Sequence, residues 1–158
     1  MKRELIDKAL VRIAQSQNAD DLRATIRNAE EKEIEEVARA ARLRLYSILP
    51  SAEPGTLEHD VWQSIHALED ALSNERHKTI RLSRTRQMIQ RVGERDTVAS
   101  LIGKSTASDG FRMLQERNML ELTFEAVALR HPERFEPTTL DLSRARLATA
   151  HSPDYRIP

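Results

Sequence analysis

His59, Gln63, His66 and Asp70 share one helical face in "LEHDVWQSIHALEDALSNE", and side chains of these types could bind a metal ion. Residues seven apart on a helix are separated by about 10.5 Å, too far for His59 and His66 to share one ion. His66 and Asp70, four apart, could form half a tetrahedral site, but no second pair matches them. Cysteine is absent, which excludes thiolate chemistry, disulfides and Cys-based zinc sites. Glu30 and Glu31 are of a type that can hold Mg²⁺ when projected from adjacent strands beside a lysine such as Lys32, yet their surroundings read as helix. No Gly-rich phosphate loop or Ser/His/Asp set occurs. The expectation is therefore a protein that is not an enzyme and takes no cofactor or metal.

Binding is better represented. The stretch "HKTIRLSRTRQMIQRVGER" holds five arginines and a lysine against one acid, Glu94, in a chain of zero net charge. Wound as one helix, His77, Arg81, Arg84, Met88, Arg91 and Arg95 would fall within an arc of about 80°, with Leu82, Ile89 and Val92 beside it facing a core. Such a ridge can lie along phosphates, each contact releasing a counterion. Ser83 reads as an N-cap, however, which implies a turn near 78–82 and leaves Arg84, Arg91 and Arg95 in register. No aromatic residue interleaves the arginines, so duplex DNA is a more natural target than a single strand, with RNA as a second polyanion. The alternative is that the arginines are solvated or pair with acids of the N-terminal half.

"TVASLIGKSTASDGFRML" resembles a helix-turn-helix, with Ala99 small where two helices would approach, Ile102 apolar and Gly103 at the turn. Phe111 and Leu114 take the buried positions of the second helix two residues late, so the turn is longer than usual. This resemblance implies that Lys104, Ser105, Ser108 and Arg112 lie near DNA while Arg84 and Arg91 grip backbone. With Lys78, Arg81, Arg86 and Arg95 they complete the candidate nucleic-acid surface. "RARLATAH" is similar to the Arg-x4–6-His motif of the all-helical HEPN ribonucleases, through Arg144 or Arg146 and His151. It departs from that family in having Ala145 or Leu147 after the arginine, and Ser152-Pro153 after the histidine.

The elements that must position these residues are helices. Leu5, Ala9, Leu10 and Ile13 pattern a first helix ending near Asn18; Asp20 reads as the cap of a second, with Leu22, Ile26 and Ala29 on one face. Ile34, Val37, Ala38, Ala41, Leu45 and Ile48 stripe a third, which Pro50 and "PSAEPG" end. Thr56 caps a central helix over 57–75, whose stripe is Leu57, Val61, Ile65, Leu68 and Leu72. Short segments follow, with Gly93 and Gly103 as two stops. A final helix spans about 139–150, and "SPDYRIP" is a loose tail. The expected fold is all-α: a compact bundle of about seven to eight short-to-medium helices, with N-terminal helices packed on a central helix (57–75) and a C-terminal group of short helices. It reads as a single domain over 1–150, with possible subdomains 1–49 and 56–150.

Charged residues make up 32% and hydrophobic ones 39%, enough apolar content for a core and too little in any one run for a membrane span. A cytoplasmic protein without membrane contact is expected. Residues 1–75 carry ten bases against fifteen acids, and residues 76–158 the reverse, fifteen against ten. Such polarity can steer a polyanion to one side or let an acidic N-terminal half dock on a basic face, in a homodimer or on another protein. In order, "SRTRQMIQRVG", "GFRMLQERN" and "FEAVALRHPERF" resemble a set of uncharacterised all-helical bacterial domains, some accompanying restriction-type or other DNA-handling proteins. The likeness covers about residues 56–147 and implies an association with DNA.

Overall fold

The computed structural model describes residues 2–104, 108–150 and 155–158. They form nine α-helices and two 3-10 turns, with no strand among the described residues. The all-α class read from the sequence holds, with more and shorter elements than the expected seven to eight helices. The chain divides into two compact units, Met1–Ser51 and Ala52–Pro158.

The first unit contains α1 (Lys2–Gln15), α2 (Ala19–Glu31) and α3 (Glu35–Ile48). Asn18, rather than Asp20, caps α2: its side-chain oxygen accepts the Asp21 N–H at 3.1 Å. Asp20 falls inside the first turn, where a carboxylate still meets the positive end of the helix dipole. Ala38 and Ala41 on α3 are completely buried; their small size lets Leu22, Ile26 and Ala29 of α2 approach closely. By contrast α1 buries only Ile13. Polar ties hold it instead: Arg44 Nε donates to the Ser16 carbonyl at 2.8 Å, and Arg3 donates to both Glu36 oxygens at 2.7 and 3.1 Å.

The second unit is built on α4 (Leu57–Arg76), capped by Thr56 Oγ1, which accepts the His59 N–H at 3.1 Å. Leu57, Val61 and Ile65 are each at most 1% exposed, worth about 1.5–3 kcal/mol apiece in transfer free energy. Around them stand α5 (Ser83–Val92), α6 (Glu94–Ile102), α7 (Asp109–Glu116), α8 (Phe124–Arg130) and α9 (Pro137–Thr149), with 3-10 turns at Leu120–Leu122 and Pro132–Arg134. Three consecutive residues of α8, Ala126, Val127 and Ala128, have no exposure at all, so this short helix is enclosed on every side. Its cap is Thr123, whose Oγ1 accepts the Ala126 N–H at 3.1 Å and donates to the Leu120 carbonyl at 2.7 Å. That cap separates α8 from the 3-10 turn at Leu120–Leu122.

The two glycine stops differ in kind. Gly93 ends α5 and starts α6 with φ of 89° and ψ of 169°, a conformation essentially reserved for glycine. Gly103 ends α6 at φ −67°, which any residue adopts, so positive φ is not the reason for that stop. No helix among the described residues is long and apolar enough to cross a membrane.

Candidate nucleic-acid interface

The arginine-rich stretch is not one helix. α4 ends at Arg76; His77 takes the left-handed conformation (φ 54°), and α5 begins at Ser83. The expected turn is present, but Ser83 is not its cap. Leu82 holds that position with no side-chain cap bond, and the loop is organised from below by α4. Two residues one turn apart do this. Ser73 Oγ accepts the Ile80 N–H at 2.9 Å, and Glu69 accepts the Leu82 N–H at 2.8 Å. Glu69 also takes both Arg86 Nε and Arg86 Nη2 at 2.7 Å. The Arg86 guanidinium in turn lies 5.1 Å from the centre of the Trp62 ring. Burial works to raise the Glu69 pKa, but the Arg86 and Leu82 hydrogen bonds outweigh it and hold the carboxyl below the usual range.

Two of the candidate cations are thereby committed to the fold. Arg86 is held by Glu69, the more buried half of that pair, and Arg95 donates to the Arg134 carbonyl at 2.6 Å and to Asp96 at 2.8 Å. Lys78, Arg81, Arg84 and Arg91 are exposed and have no acidic partner among the described residues. Arg76, exposed in the last turn of α4, joins them; the sequence pattern passes over it. Arg84 and Arg91 lie on α5 about 10.5 Å apart along its axis. Ile89 is buried and Leu82 packs on the core, but Val92 is 41% exposed, because the chain turns away at Gly93.

The opposite charges of the two sequence halves meet inside the second unit. Residues 52–75 carry six acids and no base, whereas residues 1–51 carry nine acids and ten bases. The acidity therefore belongs to α4 and the loop before it rather than to the N-terminal unit. Much of it is spent locally: Glu58 accepts from Arg134 at 3.1 Å, Asp60 lies 2.7 Å from His131 Nε2 and 3.5 Å from Arg130, and Glu69 holds Arg86. In the first unit Glu30 and Glu35 flank Arg42, and Glu36 holds Arg3. In the segment 76–91, by contrast, Arg86 alone of the six Lys/Arg residues has an ion-pair partner among the described residues.

The other candidate residues are dispersed. Phe111 and Leu114 are buried on α7, as the helix-turn-helix resemblance implies, but α7 packs chiefly against α4 and the 3-10 turn at Leu120–Leu122 rather than on α6. Ser108 spends its hydroxyl capping α7 through the Phe111 N–H at 3.1 Å. Arg112 pairs with Asp109, and Lys104 is exposed. Ser105 and His151 lie outside the described residues. Arg144 is 3.6 Å from Asp141. Arg146 is half-buried, donating to Glu125 at 3.3 Å and to the Lys104 carbonyl. Burial pushes the Glu125 carboxyl above its usual range, an effect that Arg146 opposes. Among the described residues, no group of three or more His, Asp or Glu is placed to hold a metal ion. His59 itself is buried beside Asp60, 3.7 Å from its carboxylate.

No family model, curated protein or solved structure matches the chain. Its function must be argued from its own side chains. Glu69, Ser73 and Trp62, like Arg76, are not singled out by sequence spacing. Glu69 and Arg86 are 17 positions apart on different elements, and no periodicity connects them.

Proposed function

We propose that the protein binds nucleic acid, and duplex DNA in particular, through the phosphate backbone along residues 76–91. The observation that carries this reading is the set of five exposed cations, Arg76, Lys78, Arg81, Arg84 and Arg91, with no acidic partner among the described residues, on a segment with no acid between Glu75 and Glu94. Elsewhere in the second unit most arginines are engaged by a carboxylate or a backbone carbonyl. A held, acid-free row of cations suits an extended polyanion. All six aromatic residues are buried or half-buried, so no ring is displayed for base stacking, and backbone contact with a duplex is favoured over a single strand. Base reading by α7 is not part of the proposal, since Arg112 and Ser108 are already engaged.

Fluorescence anisotropy with a labelled random duplex tests it. Five phosphate contacts give a slope of about −4.5 for log K against log salt, or about 500-fold weaker binding on going from about 50 to about 200 mM. Arg84→Ala/Arg91→Ala should flatten that slope by about 1.8. Absence of binding at the lower salt, or a slope unchanged in the double variant, refutes the proposal; binding to an acidic protein surface but not to duplex refutes it equally.

A further inference from the structure

In the first unit α1 and α2 each pack principally on α3, which leaves a groove between them. One section, of about 330 Å³, has an apolar lining that includes Leu5, Ile6, Ala9, Ile34 and Val37. Leu5 is 67% exposed there. The same section is edged by Lys2, Arg12 and Lys32, and no acid lines it. All three cations are exposed, and none has an ion-pair partner among the described residues. Past Arg12 and Thr25 the groove continues into a second section of about 270 Å³ reaching Ser16, whose lining includes one acid, Asp21. From Lys2 to Ser16 along α1 is about 21 Å, the length of a helix of about fourteen residues.

We infer that this groove receives an amphipathic helix of a partner protein, with an apolar stripe flanked by acidic residues. The apolar floor answers the stripe, as in other helix-in-groove recognition. The rim selects the flank: three unpaired cations attract glutamate or aspartate and repel lysine and arginine. The incoming helix would supply the neighbour that α1, with Ile13 as its single buried residue, does not have within its own unit.

The probe is a pair of synthetic fluorescein-labelled helical peptides of about fourteen residues, with the same leucine stripe and either glutamate or lysine flanks. The full chain is expected to bind the glutamate peptide at least about tenfold more tightly than the lysine peptide, a preference worth about 1.4 kcal/mol. Arg12→Glu/Lys32→Glu should reverse that preference, and Leu5→Asp should weaken both peptides. Because these residues are exposed, the variants should keep the wild-type far-UV circular dichroism. Equal binding of the two peptides, no binding of either, or a preference that survives the charge reversal overturns the inference. So does a dimer in sedimentation that Leu5→Asp dissociates, which assigns the groove to a second copy. Binding to anionic phospholipid vesicles that the charge reversal removes, with no peptide preference, also overturns it.

Discussion

Replacing Glu69 with alanine removes three hydrogen bonds at once: those from the Leu82 N–H, Arg86 Nε and Arg86 Nη2, at 2.7–2.8 Å. It also strands a guanidinium over the Trp62 face. Taking one partner from a buried ion pair costs about 3–5 kcal/mol, because the remaining charge is left uncompensated. Arg86 keeps 25% of its side-chain exposure against 11% for Glu69, so it recovers part of its hydration, and the lower end, about 3 kcal/mol, is expected. Trp62 is the sole tryptophan and lies against Arg86, so urea unfolding followed by its fluorescence reports on this unit directly. For a domain near 100 residues, 3 kcal/mol corresponds to a Tm fall of about 12 °C or more. The Leu82 amide should lose hydrogen-exchange protection at the same time. A loss under about 1 kcal/mol, the value of an exposed pair, together with an unchanged Leu82 exchange rate, would show that Glu69 does not hold the basic segment in place.

Protonation distinguishes the two acids in opposite senses. Glu69 is held below the usual carboxylate range, so its stabilisation is present above about pH 4.5 and lost as pH falls through its folded value. Glu125 is raised by burial, so the folded state takes up a proton more readily than the unfolded chain, and stability falls as pH rises through the shifted value. In urea titrations across pH, wild type should lose ground to Glu69→Gln on acidification and gain ground on Glu125→Gln; parallel curves would contradict both assignments. Gly93→Ala should cost about 1–3 kcal/mol through backbone strain alone, since a methyl there meets nothing within 4 Å; a neutral result in thermal unfolding would count against the positive φ. Thr123→Ala removes a buried cap and should cost about 2 kcal/mol, checked by the same unfolding experiment.

Helix class and most of the core were legible because they rest on periodicity. Leu57, Val61, Ile65 and Leu68 are buried where the stripe over 57–75 puts them, and Thr56 caps α4 as its side chain and position predict. Local competition defeated the finer reading. Asn18 and Asp20 are both good caps, and the choice between them depends on where α1 ends. Ser83 has cap chemistry, but the Leu82 amide already has an acceptor in Glu69, a residue on another helix. The candidate surface was legible as a composition and not as a display. Arg86 and Arg95 look no different from Arg84 and Arg91 along the chain; they are removed by partners distant in sequence, Glu69 and the Arg134 carbonyl. The −5 and +5 halves mislead for the same reason. A linear count cannot register that the acids of α4 are opposed by Arg86, Arg130 and Arg134 across the core.

The position of α4 also sets an order of events. Glu58, Asp60 and Glu69 find their partners 76, 71 and 17 residues later. A nascent chain that has grown only to Arg76 therefore presents this helix with five acids and one base, and with the apolar face of Leu57, Val61 and Ile65 uncovered. Synthesis of the next stretch supplies Arg86, and only about sixty residues after α4 is complete do Arg130, His131 and Arg134 arrive to neutralise its first turn. The polypeptide thus changes electrical character as it is made, from an exposed anionic helix to a unit of nearly balanced charge, fifteen bases against sixteen acids over residues 52–158, with a cluster of exposed cations just beyond that helix.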